Sequence, residues 1–259
     1  MAAVKLHEKM KKIAVVEDNP DNRLLVRVIL ESLYEVVEYE TGYTALEGLP
    51  KEKPDLVLLD ISLPEPDGGE VLRRMRADAA LRQLPVIALT AHAMAGDREK
   101  YLAAGFNDYV AKPIVEEQVL LDAIKKFLPE ESAAAALATG TVQPVEEAAM
   151  DRLRRLGGDQ FVGQIIGLFL EYAQTKLAEA HQACQAEDCA GVAKAVHPIK
   201  SSAGNVGANR VQELAARLEE KANEQQPGEL NRLLGELEAA LAEVKPRLEL
   251  EKQKCERAA

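Results

Sequence analysis

The chain has 259 residues, 47% of them hydrophobic and 29% charged, a length and composition suited to two modest globular domains. Its net charge of −11 is spread evenly: 17 Lys+Arg against 22 Asp+Glu in residues 1–128, and 15 against 21 in 129–259. Neither half carries the basic excess that binding a phosphate backbone requires, so a nucleic-acid-binding output is not expected.

Residues 1–12, MAAVKLHEKMKK, show no apolar stretch of the kind that opens a secretory signal, and no apolar run reaches the ~18 residues of a membrane span. The three cysteines, Cys184, Cys189 and Cys255, form no CxxC pair and suggest free thiols in a reducing compartment. A cytoplasmic protein without membrane insertion is expected.

From Lys12 to Leu128 short apolar runs alternate with helical patterns. Strands are predicted at Lys12–Val16, Glu35–Tyr39, Leu56–Leu59, Val86–Leu89 and Asp108–Ala111. Between them, Leu24, Leu25, Val28 and Ile29 form one helical apolar face, Val71, Leu72 and Met75 a second, and Leu120, Leu121 and Ile124 a third. Strands alternating with helices predict βαβ units and a mainly parallel sheet. The run Leu56-Val57-Leu58-Leu59 does not alternate, as expected of a strand covered on both faces.

Residues 129–144, PEESAAAALATGTVQP, lack an apolar stripe and read as a linker, although the alanines could form a short helix. Beyond them there are only helical signals. Gly157-Gly158 ends a first helix and Asp159 is positioned to cap a second, whose stripe is Val162, Ile165, Ile166, Phe169, Ala173 and Leu177. A third helix spans about Asp188 to Gly204, and a fourth carries Val211, Leu214, Ala215 and Leu218. The last shows Leu230, Leu234, Leu237, Leu241, Val244 and Leu248. Short connections predict an antiparallel bundle; the same heptad-like stripe would also suit a coiled-coil dimer.

In open α/β sheets, ligands bind beyond the carboxyl ends of the strands. Strand one is followed by Glu17-Asp18, strand three by Asp60, strand four by Thr90 and strand five by Lys112-Pro113. Three carboxylates, a hydroxyl and an ammonium therefore share one rim. Clustered carboxylates repel unless a cation compensates, and hard oxygen ligands suit Mg²⁺, which also binds phosphate oxygens. These are the parts that phosphoryl transfer needs. A lone acid after a strand is usually a solvated loop residue or a helix cap, and only the coincidence of all five positions favours chemistry.

The motifs VVEDN, LLDISLPEPDG, ALTA and YVAKP, each at a strand end and in this order, resemble the response-regulator receiver family over roughly residues 11–128. The resemblance implies a flavodoxin-like five-stranded parallel sheet of order 2-1-3-4-5. It implies Asp60 as phosphoacceptor and Mg²⁺ held by Asp18, Asp60 and the Ser62 backbone carbonyl, with Glu17 assisting. It also implies that Thr90 and Lys112 contact the phosphoryl group, that Tyr109 moves with Thr90 as a switch, and that the Lys112–Pro113 bond is cis. His92 reads as a loop residue modulating access. A haloacid-dehalogenase-type phosphatase would need a second acid two residues after Asp60, where this chain has Ser62.

Of the four histidines, His7 and His181 attract no role. His197, in HPIKSSAGNVG, lies about 100° from Val196, beside the apolar stripe Val192, Val196, Ile199 and Ala203. Lys200, Ser201 and Gly204 follow on the same face, which is expected to be exposed. Small neighbours would let another protein approach the imidazole, and Lys200 would neutralise an incoming phosphoryl group and favour an uncharged, nucleophilic ring. Most histidines do nothing of this kind. This neighbourhood, however, resembles the histidine-containing phosphotransfer (HPt) domain, whose signature is His-x-Leu-Lys-Gly-Ser with a later glycine. Here Ile199 replaces the leucine and Ser201 the glycine, and the resemblance covers residues 145–250 as an all-α antiparallel four-helix bundle.

Neither GxxxxGK[ST] nor GxGxxG occurs, so no ATP-dependent kinase activity is expected. The expectation is a two-component phosphorelay protein that receives a phosphoryl group on Asp60 and carries or exchanges one on His197. Any enzymatic activity would be Mg²⁺-dependent self-phosphorylation and dephosphorylation. Its partners would be a sensor histidine kinase, other receiver domains or small phosphodonors. Two alternatives stay open: a receiver that controls protein docking with the helical half as a platform, and a metal-dependent phosphatase acting on a free substrate. A flexible linker of sixteen residues spans about 20–25 Å, which leaves exchange between Asp60 and His197 of one chain undecided.

Overall fold

The computed structural model describes residues 10–91, 97–128 and 145–258. His7, His92 and the expected linker at 129–144 lie outside them.

The first domain runs β1 (Lys12–Val16), α1 (Pro20–Leu30), β2 (Glu35–Tyr39), α2 (Gly42–Glu52), β3 (Leu56–Asp60), α3 (Gly68–Ala77), β4 (Val86–Thr90), α4 (Asp97–Ala103), β5 (Asp108–Ala111) and α5 (Glu117–Lys125). The strands form one parallel sheet of order β2-β1-β3-β4-β5. β3 and β4 are buried along their whole length, which is why their sequences are continuously apolar. Both strands run one residue further than the apolar pattern, so Asp60 and Thr90 are their last residues.

Local chemistry sets the helix starts. The Asn19 side chain accepts from the Asp21 amide with Pro20 at the first helical position of α1. Thr41 and Thr44 form a reciprocal capping box at α2, and Asp67 caps α3 by accepting from the Glu70 amide at 2.8 Å.

The second domain contains α6 (Val145–Gln185), α7 (Cys189–Asn205), α8 (Asn209–Asn223) and α9 (Pro227–Ala258). Continuous helix through α6 is broken at Gly158, whose φ of +71° suits glycine and divides the segment where Gly157-Gly158 predicts an end. Asp188 caps α7 by accepting from the Gly191 amide. The leucines at 230, 234, 237, 241 and 248 are buried on α9, which packs against α6 and α8. Their stripe is thus used within the bundle, where the sequence also allowed a coiled-coil dimer.

One apolar cluster is continuous across the two domains. It joins the sheet face under α1 and α5 to the bundle interior, while the opposite sheet face packs separately under α2 and α3. Helix α1 meets both α6 and α7.

Candidate functional site at the carboxyl edge of the sheet

The predicted rim residues converge. Lys112, at the end of β5, donates to Asp60 Oδ2 at 2.7 Å and to Glu17 Oε2 at 3.1 Å. All three side chains are almost completely buried. Oxygens of Glu17, Asp18 and Asp60 lie within 4.8 Å of one another. The Ser62 amide donates to Asp60 Oδ1 at 2.9 Å and orients the carboxylate, while the Ser62 side chain is exposed. The Lys112–Pro113 bond is cis.

Gly68, the last residue of LLDISLPEPDG, is required by close approach. A Cβ there would lie 2.3 Å from the Asp60 carbonyl oxygen. Its amide donates to the Ile61 carbonyl, tying the start of α3 to the end of β3.

The electrostatics suit a cation. Burial and the Asp60 charge push Glu17 well above the usual carboxylate range, although Lys112 opposes this. The same two causes raise Asp18. Burial alone would lower Lys112, but Asp60 and Glu17 outweigh it and hold the ammonium charged. One lysine among three carboxylates leaves an excess of negative charge, and the converging hard oxygens fit a divalent ion such as Mg²⁺.

Thr90 is buried and shares a hydrogen bond of 2.9 Å with the Tyr101 hydroxyl. The sequence paired Thr90 with Tyr109. In the structure Tyr109 is half-buried, and its ring lies 6.0 Å from that of Tyr101, which stands nearer the threonine chemically. The signal for Tyr101 was weak, because it sits on a short helix with no apolar stripe.

His197 is not exposed. It retains 8% of its accessible surface, because Glu219 of α8 covers one edge of the ring and α7 lies against α1 of the first domain. His197 Nδ1 is 2.6 Å from Glu219 Oε1. Lys200, expected to face the imidazole, instead pairs with the other carboxylate oxygen of Glu219. Burial works to raise Glu219, but the hydrogen bond and charge at His197, followed by Lys200, bring its pKa down to about 2. An ionised carboxylate only accepts, so Nδ1 carries a proton. In the neutral ring the lone pair is then at Nε2. Glu219 stands in a polar run that reads as solvent-facing; its spacing from Ala215 and Ala222 on the buried stripe was the available signal.

The face of α7 that bears His197 is turned to the rim. Asn22 Nδ2 donates to Ser201 Oγ and to Glu17 Oε1, each at 3.3 Å. Asn19 Nδ2 donates to Ser202 Oγ at 2.6 Å, and that hydroxyl donates to Asp21 Oδ1 at 2.9 Å. Asn205 Nδ2 donates to Asn22 Oδ1 at 2.7 Å. Arg152 donates to the Ile114 carbonyl just beyond Lys112-Pro113, and to the Asn205 carbonyl at 3.3 Å. The Tyr172 hydroxyl of α6 lies 3.5 Å from Asp18 Oδ2.

A doubly wound sheet with this rim is the arrangement of a receiver domain, and the bundle beside it carries a histidine held by a carboxylate. The Response regulator receiver domain pattern matches residues 13–125, and the Hpt domain pattern matches residues 164–245. The polar-differentiation response regulator DivK of Brucella anthropi is 41% identical over 119 residues, 46% of this chain and 96% of DivK. The signal transduction histidine-protein kinase BarA of Escherichia coli is 30% identical over 217 residues, 81% of this chain and 24% of BarA. The receiver domain of the Pseudomonas aeruginosa sensor kinase PA1611, solved with a coordinated magnesium ion, is 38% identical, with a TM-score of 0.43 over 47% of this chain and 99% of that one. The chain belongs to the response-regulator receiver family, joined to an Hpt domain, which is the make-up of a two-component phosphorelay protein. It spans about a quarter of the length of the BarA kinases it matches. Among the described residues, no helix is long and apolar enough to cross a membrane.

Proposed function

We propose that Asp60 is the phosphoacceptor of the first domain and His197 that of the second, and that the chain passes phosphoryl groups to and from other two-component proteins. The observation that carries this reading is the Lys112 ammonium held 2.7 Å from the Asp60 carboxylate at the carboxyl edge of the sheet. Phosphorylation begins when an Asp60 oxygen attacks the phosphorus of a phosphohistidine or a small acyl phosphate, forming a new P–O bond as the donor's P–N or P–O bond breaks and the imidazole or carboxylate leaves with the electron pair. Lys112 stays charged and takes up the negative charge that develops on the phosphoryl oxygens. Thr90 offers its hydroxyl to the same group, and the Ser62 amide holds Asp60 in place. Glu17, Asp18, Asp60 and the Ser62 carbonyl would hold Mg²⁺, which when bound would supply further neutralisation of the phosphoryl charge. Movement of Tyr109 after Thr90 is part of this reading.

At His197, Glu219 keeps Nδ1 protonated and directs attack through Nε2. Lys200 balances the Glu219 charge. Phosphodonors are a sensor histidine kinase or small acyl phosphates, and receivers are the acceptors. In functional terms, residues 11–128 make the receiver, 129–144 the connection and 145–250 the phosphotransfer domain.

The test is labelling by an ATP-fed histidine kinase of the relay type, followed by acid and alkali treatment. Asp60 should give label lost in alkali or hydroxylamine, and His197 label that survives alkali but not acid. Asp60→Asn and His197→Gln should each remove one class. If no kinase or receiver ever places alkali-stable label on His197, the helical domain is a docking platform and the relay reading is wrong.

A further inference from the structure

We propose that Tyr172 of α6 is a positioning residue for Asp18, so that the helical domain completes the acid cluster of the first domain and sets its affinity for Mg²⁺. This rests on the metal role proposed above for Glu17, Asp18 and Asp60. Two of these carboxylates are held from within the first domain. Asp60 accepts from the Ser62 amide at 2.9 Å and from Lys112 at 2.7 Å. Glu17 accepts from Lys112 at 3.1 Å and from Asn22 at 3.3 Å. Asp18 is held differently. Among the described residues, the side-chain donor that reaches it is the Tyr172 hydroxyl of the second domain, 3.5 Å from Oδ2. A carboxylate that ligates a metal relies on such outer partners for its orientation, and their loss costs about 10–100-fold in affinity.

The placement of Tyr172 follows from its helix. It is half-buried, between Phe169 and Ala173 at the margin of the stripe that α6 buries in the bundle. A tyrosine suits such a margin, because its ring packs while its hydroxyl reaches a polar partner. Helix α1 packs on α6, and Asp18 stands just before α1 begins at Pro20. The domain contact therefore brings the acid to the phenol. One turn on, the Lys176 ammonium lies 5.4 Å from the Tyr172 ring centroid and pairs with Glu179 at 2.8 Å. This cation–π contact restrains the ring and so the direction of its hydroxyl. A phenol is protonated near neutral pH and an ionised carboxylate only accepts, so Tyr172 is the donor. Donation occupies one lone pair of Oδ2 and leaves the rest of the carboxylate for a cation. The separation is long for a hydroxyl donor, and what it supplies is direction more than strength.

The experiment titrates the full chain with Mg²⁺ by isothermal calorimetry and follows tyrosine absorbance in parallel. Tyr172→Phe keeps the ring and its contact with Lys176 and removes the hydroxyl. Its Mg²⁺ dissociation constant should rise by about tenfold. A merely structural role would instead lower the unfolding midpoint and leave that constant where it was. Mg²⁺ should also give wild type a tyrosine difference spectrum, which Tyr172→Phe should diminish and substitution of the exposed Tyr43 by phenylalanine should not. If Tyr172→Phe binds Mg²⁺ as tightly as wild type, or more tightly, the positioning proposal is wrong and the metal reading of the acid cluster stands. An undiminished difference spectrum in Tyr172→Phe has the same consequence. If wild type shows no Mg²⁺ binding that Asp18→Asn removes, both fall.

Discussion

Glu219 Oε1 lies 2.6 Å from His197 Nδ1, and the same carboxylate pairs with Lys200, so one buried side chain of α8 positions the proposed phosphoacceptor and neutralises its neighbour. Its pKa of about 2 lies below the ordinary 4.5. A depressed carboxylate contributes stability that is complete above its unfolded pKa and is lost as pH falls through the folded value. The contribution is about 3 kcal/mol, lost between about pH 4.5 and 2. Glu219→Gln should lower stability near neutrality by about that amount and flatten this acid limb. It should also slow His197 labelling while sparing Asp60. Denaturant titrations at several pH values would measure it, and an unchanged acid limb would contradict the assignment.

Asp21 behaves in the opposite sense. Burial raises it to about 6, against a donated hydrogen bond from Ser202. The folded, docked state therefore holds a proton more tightly than the open chain does. Docking should weaken as pH rises from about 4 to 6, by about 1–3 kcal/mol, and Asp21→Asn should remove the dependence. Energy transfer between dyes on the two domains would report it; opening on acidification across that window would be the contrary result.

The Thr90–Tyr101 hydrogen bond predicts a separable effect of two substitutions. Tyr101→Phe should cost about 1 kcal/mol of stability and leave Asp60 able to take label from acetyl phosphate. Thr90→Ala should lose the same bond and slow labelling as well. Equal labelling in both variants would remove Thr90 from the chemistry.

The excess negative charge at the rim predicts a metal response. Mg²⁺ at about a hundred times its dissociation constant should stabilise wild type by about 2.7 kcal/mol. Asp18→Asn should abolish that gain. Because burial and Asp60 both raise Asp18, the same substitution should also stabilise the metal-free protein. Thermal unfolding with and without Mg²⁺ separates the two effects.

Much of this protein was legible from residue order. Short apolar runs reveal the five strands, the central ones buried on both faces, and in a parallel sheet every strand ends on the same side. Glu17, Asp18, Asp60, Thr90 and Lys112 therefore converge once the strands are recognised. The same reasoning placed His197, Ser201 and Gly204 on one face of α7, because helical spacing is local. What covers that face is not local. Asn19 and Asn22 look like ordinary residues of a helix start, and Glu219 like a solvated acid, until α1, α7 and α8 are packed together. The hydrogen bond between Asn205 and Asn22 joins residues 183 apart, and only tertiary packing brings such groups out of water and into contact. Residue order thus determined the rim and the histidine face; the tertiary structure decided that they meet within one chain.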